Sequence, residues 1–342
     1  MTTKKGGGTD VKDKTIKIEE MFLSPYACKS VDTVGRLKDE PPCPMRTPFQ
    51  RDRDRIIHCK AFRRLKNKTQ VFFSPEGDHY RTRLTHTLAV VQIARSLARA
   101  LSLNEDLTEA IALGHDLGHT PFGHSGERIL NKLNPNGFLH NEQSVRVVDI
   151  LEEDGRGLNL TREVVDGILN HKKGWKPKTL EGMAVNYADR IAYINHDIDD
   201  AIKGGFITEN DLPKDAVKLL GDTSSKRINS MIFAIFNESE GKDFVKMAEA
   251  EEQATDCLRT FLFDRVYNDE TFKEQERKAE RMLTALYKYF YENTDKLPEF
   301  YVNELENTDK DTVICDYISG MSDGYAVKTF TELFIPDKWE IT

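Results

Sequence analysis

Within the thirteen residues 115–127 the chain places three of its nine histidines and two carboxylates: His115, Asp116, His119, His124 and Glu127. Adjacent histidine and aspartate side chains can both reach one cation when distant helices supply the other ligands. His86, in Arg83-Leu84-Thr85-His86, and Asp189, in Tyr187-Ala188-Asp189-Arg190, are the natural partners. Together His86, His115, Asp116 and Asp189 offer two imidazoles, two carboxylates and no thiolate. That donor set suits a hard or borderline divalent ion, Mn or Mg first and then Fe, Ni or Zn, and disfavours a structural zinc site. Four ligands on one side of an octahedral ion leave room for water and a phosphate oxygen. Such an ion lowers the pKa of bound water and polarises a phosphoryl group. Singly, each residue has a plainer reading: His86 on an apolar face is a hydrogen-bonded core histidine. The joint arrangement is what points to a metal, because each member sits on a helix that could converge with the others.

Helix signals dominate the segments that must position these groups. Residues 50–66 carry Ile56, Ile57, Phe62 and Leu65 at roughly helical spacing. Residues 84–101 read as an amphipathic helix with Val90, Ile93, Leu97 and Leu101 on one stripe, and His86 lies one turn before Val90 on that buried face. Asn104 is a good N-cap for the next helix, with Glu105 and Asp106 in its positive first turn, and that helix runs into His115-Asp116. Pro121 and Gly123 then break the regular structure. Further helices are expected at 141–152, at 161–173 with Thr161 as cap, and at 183–202. The last carries Met183, Tyr187, Ile191, Ile194, Ile198 and Ile202 on one stripe and Asp189, Tyr193, His196 and Asp197 opposite. Such a polar stripe is the wet face of a surface helix, unless the helix is central in a bundle, where the same stripe lines the site. Segments 214–220, 226–238, 243–265, 269–294, 310–322 and 324–333 also read as helix, with a break at Asn307-Thr308-Asp309. The one strand-like feature is a short hairpin, Val71-Phe72-Phe73 and His79-Tyr80-Arg81 around Ser-Pro-Glu-Gly-Asp. Residues 1–20 read as a disordered tail and 24–48 as a proline-rich extended arm. The expected class is all-α.

The chain of 342 residues has a net charge of −8, which argues against a general nucleic-acid coat. Between Arg46 and Arg83, however, eleven Lys/Arg face four acids, which suggests an anionic ligand or, more plainly, a solvated basic helix face. The five cysteines are odd in number and form no metal or disulfide pattern, so reduced thiols in a cytoplasm are expected. No apolar run approaches the roughly 20 residues of a membrane span. The N-terminus has no apolar core of a secretory signal.

The pattern His…His-Asp…Asp resembles the HD superfamily of metal-dependent phosphohydrolases. Longer words narrow the resemblance: Arg53-Asp54-Arg55-Ile56-Ile57-His58, Ala61-Phe62-Arg63-Arg64-Leu65, Lys68-Thr69-Gln70-Val71-Phe72, Tyr80-Arg81-Thr82-Arg83-Leu84-Thr85-His86, residues 115–127, Gly137-Phe138-Leu139-His140-Asn141-Glu142-Gln143-Ser144 and Ala188-Asp189-Arg190-Ile191-Ala192-Tyr193. Together with Asp316-Tyr317-Ile318-Ser319-Gly320-Met321-Ser322-Asp323, they resemble the deoxyguanosine triphosphate triphosphohydrolases, over residues 24–339. The similarity is to the shorter bacterial branch, without the insertions of the long one, so the implied substrate is dGTP or dNTPs more broadly. It implies a compact helical HD bundle with a C-terminal helical extension: tail and arm at 1–48, metal phosphohydrolase core at 49–210, and helical region at 211–342.

By the same resemblance His86, His115, Asp116 and Asp189 are the metal set. His124 is the catalytic histidine and Glu127 the carboxylate beside it; a carboxylate fixes the tautomer of an imidazole and raises its basicity. His119 and His140 line the phosphate site. Arg83 grips the α-phosphate, with Arg63, Arg64 and Arg190 as further phosphate ligands, although a surface ion pair suits each of these arginines equally well. Tyr193 packs at C2′ of a deoxyribose, Asp197 accepts from the 3′-hydroxyl, and Gln70 lies near the base. The implied activity is metal-dependent hydrolysis of a dNTP to deoxynucleoside and inorganic triphosphate. The alternatives are an HD phosphohydrolase acting on a monophosphate, cyclic dinucleotide or guanosine tetraphosphate, or a nucleotide-sensing or single-strand-binding protein. A homo-oligomer is expected, with a dNTP effector and weak single-stranded nucleic-acid binding among its partners.

Overall fold

The structure is a computed structural model that describes residues 11–70 and 81–336. The N-terminal part comprises α1 (Val11–Phe22), α2 (Pro48–His58), α3 (Lys60–Arg64), α4 (Arg83–Ala100), α5 (Glu105–Gly114), α6 (Gly123–Leu133), α7 (His140–Arg146), the turn α8 (Glu152–Gly155), α9 (Arg162–Leu169) and α10 (Leu180–Lys203). It continues through α11 (Lys214–Leu220), α12 (Ser224–Ser239), α13 (Glu249–Leu262), α14 (Glu270–Glu292), α15 (Glu299–Glu304), α16 (Lys310–Ser319) and α17 (Asp323–Phe334). There is no sheet among the described residues, so the class is all-α. The hairpin expected around 71–80 lies outside those residues; beside it, Thr69 and Thr82 form one isolated antiparallel bridge.

Local chemistry sets the helix starts. Thr47 and Gln50 form a reciprocal capping box ahead of Pro48, so α2 begins with a satisfied N-terminus. Thr82 caps α4 with Thr85, and the Asn104 side chain accepts from the amides of Asp106 and Leu107 at the head of α5. The expected helix at 50–66 breaks at Cys59, which leaves α2 and caps α3 through its thiol. Thr161 also departs from expectation. Its hydroxyl and amide donate to Asp52 at 2.6 and 2.8 Å and cap nothing.

One expectation is corrected at the N-terminus. The disordered tail read over residues 1–20 is overtaken by helix from Val11 onward. Glu19 holds that helix down, accepting from the amide and hydroxyl of Ser30 (2.7 and 2.6 Å) and from Asn104 (3.3 Å).

Helices α4, α5, α9 and α10 surround the main core, where Ile93, Leu97, Leu107, Ile111, Ile168 and Ile191 are buried. The central position of α10 decides its role. Its polar stripe is as covered as its apolar one: His196 and Asp197 are buried, and Asp189 and Tyr193 are half-buried. The stripe is therefore an interior lining. A second apolar cluster joins α6 to α14, α16 and α17 through Leu130, Leu283, Leu286, Ile314 and Ala326.

Candidate active site

Three elements deliver the first group of side chains. His86 lies in the first turn of α4, His115 and Asp116 follow the last turn of α5, and Asp189 lies mid-way along α10. His86 Nε2 stands 3.0 Å from Asp189 Oδ1. His115 Nε2 stands 3.6 Å from Asp116 Oδ2 and 3.8 Å from Asp189 Oδ1. His115 donates through Nδ1 to the Ala112 carbonyl at 2.7 Å. Its Nε2 therefore turns a lone pair toward the carboxylates, where it is buried without a hydrogen-bond partner among the described residues. Burial alone would raise the Asp116 carboxyl, but the His115 imidazole and Arg83 guanidinium outweigh it and hold it well below the ordinary range. Burial likewise pushes Asp189 up, and His86 and His115 bring it down to about 2. Two ionised carboxylates and two convergent imidazoles, one with an orphaned lone pair, fit a divalent cation.

Beside this group lies a second. His124, in the first turn of α6, faces Glu127 through Nδ1 at 3.1 Å, and its side chain is 59% exposed. Glu127 also takes the Nδ1 of His140 at 2.9 Å, the His140 amide at 3.0 Å and Lys172 Nζ at 3.4 Å. Burial would raise the Glu127 carboxyl; its hydrogen bonds from His124 and His140 drive it far below the ordinary value. His119 stacks on His140 with centroids 4.5 Å apart, and both its ring nitrogens are buried without hydrogen-bond partners among the described residues. Burial, helped by Arg83, holds His119 well below the usual imidazole range, so it is neutral. The anionic Glu127 carboxylate orients His124 through Nδ1, His119 lies edge-on to its ring at 5.0 Å, and its Nε2 makes no hydrogen bond among the described residues.

Backbone geometry makes this placement possible. Phe122 has a φ of +60°, an uncommon conformation for a side chain of that size, and its amide donates to Asp323 Oδ1 at 3.0 Å. This turn aims α6 so that His124 faces His119. At Gly118 a Cβ would stand 2.2 Å from the Ser144 nitrogen, so only glycine lets the His115–His119 segment lie against α7.

Arg83 is 1% exposed and donates to Asp116 Oδ2 at 2.7 Å and to the Gln70 carbonyl at 3.3 Å. Gln70 is buried, and its side-chain oxygen has no partner among the described residues. On α10, Tyr193 is half-buried and Asp197 accepts a short hydrogen bond from the Tyr267 hydroxyl. Burial raises Asp197 to about 7 against the opposing pull of that bond.

The other three arginines point elsewhere. Arg190 makes a two-pronged pair with Glu252, both contacts 2.6 Å, and lies over the Tyr187 ring. Arg63 is exposed and donates to the His58 carbonyl. Arg64 lines a separate cavity of about 180 Å³ with Lys60, Glu152, Phe300 and Tyr301. Much of the basic excess at 46–83 is spent on α2, the arm and α5: Arg46 on Asp54, Arg51 and Arg55 on Glu40, and Arg53 on Asp106.

Sequence reasoning did not single out His171 or Tyr267. His171 follows α9, with its Nε2 3.2 Å from that of His140. Tyr267 follows α13 in a five-residue π-helical stretch, 70 residues beyond Asp197. Neither carries a spacing signal; their role comes from tertiary packing.

An all-α fold that gathers His86, His115-Asp116 and Asp189 from three helices beside a His–Glu pair is that of an HD-domain phosphohydrolase. Residues 83–194 match the HD domain and residues 245–332 the phosphohydrolase-associated domain. The chain is 58% identical to the deoxyguanosinetriphosphate triphosphohydrolase-like protein of Caldanaerobacter subterraneus subsp. tengcongensis, over 96% of this chain and 97% of that one. Like-named proteins of Clostridium tetani and Desulfatibacillum aliphaticivorans are 48% and 46% identical, each over 95% of this chain and at least 97% of their own length. The chain belongs to this family of deoxyguanosinetriphosphate triphosphohydrolase-like proteins.

Proposed function

We propose that the protein hydrolyses deoxynucleoside triphosphates, dGTP among them, to deoxynucleoside and intact inorganic triphosphate, with a divalent ion held by His86, His115, Asp116 and Asp189. The observation that carries this reading is the placement of the His124–Glu127 pair beside the cluster of His86, His115 and Asp116, with Asp189 3.0 Å from His86. Names of relatives agree with it. A bound Mn or Mg ion would polarise the α-phosphoryl group and acidify coordinated water.

The chain's own residues do the rest. Arg83, anchored on Asp116, presents a buried guanidinium to an α-phosphate oxygen. Glu127 fixes His124 by its Nδ1, so Nε2 faces the departing 5′-oxygen and hands it a proton. His119 and His140 line the phosphate path. The Tyr193 ring packs at C2′, where a ribose hydroxyl would collide, and Asp197, buttressed by Tyr267, receives the 3′-hydroxyl. Gln70 lies toward the base. The same reading includes a homo-oligomer, and all five cysteines are unpaired, as a reducing cytoplasm would keep them. No described helix is long and apolar enough to cross a membrane.

Purified protein incubated with each dNTP and each NTP in Mn(II), with products resolved by ion chromatography, tests the reading. Deoxynucleoside and triphosphate are expected, with NTPs spared. Nucleoside monophosphate and pyrophosphate as primary products would overturn the assigned bond cleavage.

A further inference from the structure

Metal-bound imidazoles give their second N–H to a carboxylate, a carbonyl or a water, which fixes the tautomer and aims the lone pair. His115 follows this rule through the Ala112 carbonyl. His86 has no such partner among the described residues. Its Nε2 faces Asp189 at 3.0 Å, and its Nδ1 is buried without a hydrogen bond. A neutral ring that ligates through Nε2 carries its hydrogen on Nδ1. That hydrogen needs an acceptor inside the fold, because a buried donor left unpaired keeps the full cost of leaving water.

The ring of His196, on α10, packs against that of His86. The two imidazoles meet edge to face, with centroids 5.8 Å apart and planes at 85°. His196 is buried, and its own Nδ1 has no hydrogen bond among the described residues. The same holds for Arg81 Nε and for Asp200 Oδ1, one turn further along α10. The Arg81 charge acts on both His196 and Asp200, so these atoms share one region. Protein interiors seldom leave several polar atoms unpaired together, and a buried polar pocket of this kind holds ordered water. One water, with bonds of about 2.8 Å on each side, spans a gap that the two rings do not bridge directly.

We propose that His196 is a positioning residue for the metal site: its Nδ1 takes the Nδ1–H of His86 through one bridging water and so holds the His86 lone pair on the ion. A neutral imidazole accepts through one nitrogen, and burial beside the Arg81 guanidinium keeps the His196 ring neutral. The arrangement gives α10 two tasks. Asp189 is a ligand, and His196, two turns later on the same helix, aims a ligand carried by α4. The inference rests on the proposed function in taking His86 as a metal ligand.

The test is Mn(II) binding to chelator-stripped full-length protein, read from the six-line electron paramagnetic resonance signal of the free ion. The binding phase lost in His86→Leu identifies the site. His196→Asn places an amide near the position of Nδ1, and His196→Gln places one near that of Nε2. His196→Phe keeps the ring and removes both nitrogens. His196→Phe is expected to weaken the phase about 10–100-fold, with His196→Gln as weak and His196→Asn within about threefold of wild type. Circular dichroism confirms that each variant is folded, and the contrast between His196→Asn and His196→Gln decides the matter even if His196→Phe does not fold. Wild-type affinity in folded His196→Phe, or equal affinity in His196→Asn and His196→Gln, overturns the positioning role and leaves His86 as a ligand. A wild type that binds no Mn(II), or His86→Leu that binds it as the wild type does, overturns the ligand reading and this inference with it.

Discussion

Replacing His124 with alanine separates chemistry from binding. The side chain is 59% exposed and its hydrogen bond in the structure is to Glu127. Glu127 keeps His140 and Lys172 as partners after the change, so the carboxylate is not stranded. Surface truncations of this kind alter folding by no more than about 0.5 kcal/mol. The transition-state loss is far larger, because a positioned general acid contributes about 10²–10⁴-fold. At 1.36 kcal/mol per decade that is about 3–5 kcal/mol. His124→Ala should therefore keep its melting temperature, metal content and nucleotide affinity while turnover of dGTP falls at least a hundredfold. Single-turnover release of triphosphate, with differential scanning fluorimetry and elemental analysis on the same samples, reads all of these. Glu127→Gln should lose less, since it disorients the imidazole without removing it. Turnover within a few-fold of wild type, or loss of metal in parallel with loss of rate, would refute the assigned role.

Three further outcomes are expected. Asp116→Asn removes an anionic ligand without leaving a hole, and stoichiometric metal retained on elemental analysis would exclude Asp116 as a ligand; Asp116→Ala should lose metal too, but would leave the buried Arg83 unpaired at about 3–5 kcal/mol. Tyr193→Ala should relax the dGTP/GTP preference by about ten- to a hundredfold, and an unchanged ratio of kcat/KM values would end the sugar-gate idea. Glu181 is wholly buried, accepts from the amides of Cys28 and Asn104, and is raised by burial to about 7 from its ordinary 4.5. The folded form then binds a proton that the unfolded chain has released, so stability falls as pH rises from about 4.5 to about 7, by up to about 3 kcal/mol; Glu181→Gln keeps an acceptor without the charge, and denaturant melts at pH 5 and pH 8 should show that slope flattened.

Legibility followed the range of each signal. The stripes of 84–101 and 183–202 were readable because an apolar period of 3.6 is local. The cap at Asn104 was readable because it rests on residues no more than three positions away, whereas the Thr161 side chain is drawn off by Asp52, 109 residues distant in sequence. The convergence of His86, His115, Asp116 and Asp189 was readable because His-Asp is contiguous and its partners fall on strong helices. Arginine roles were not readable. A guanidinium advertises charge but not direction: Arg83 turns inward to Asp116, whereas Arg190, with the same chemistry and also buried, is taken by Glu252, 62 residues away. Helix α6 was missed because Pro121 and Gly123 signal a break, and the break is real; it is the Phe122 turn that launches the helix.

The C-terminal helices enter the site through hydrogen bonds rather than catalytic groups. Asp323, in the first turn of α17, accepts from the Thr69 amide with one oxygen (2.9 Å) and from the Phe122 amide with the other (3.0 Å). One carboxylate thereby fixes both the residue next to Gln70 and the strained turn ahead of His124. The buried Lys68 donates to the carbonyls of His119 and Ser319, joining the loop between the two active-site groups to the end of α16. Asp316 takes Gln143 and Arg146 from α7, the helix that begins with His140. Each segment that presents a histidine of the second group, 119–124 and 140, is thus braced from α16 or α17. Precision of a few tenths of an ångström at His119, His124 and His140 requires such bracing, since the loop from Leu117 to Phe122 has little regular hydrogen bonding of its own. On this argument the phosphohydrolase-associated region is the scaffold that holds the His119, His124, Glu127 and His140 group against the His86, His115, Asp116 and Asp189 group carried by α4, α5 and α10.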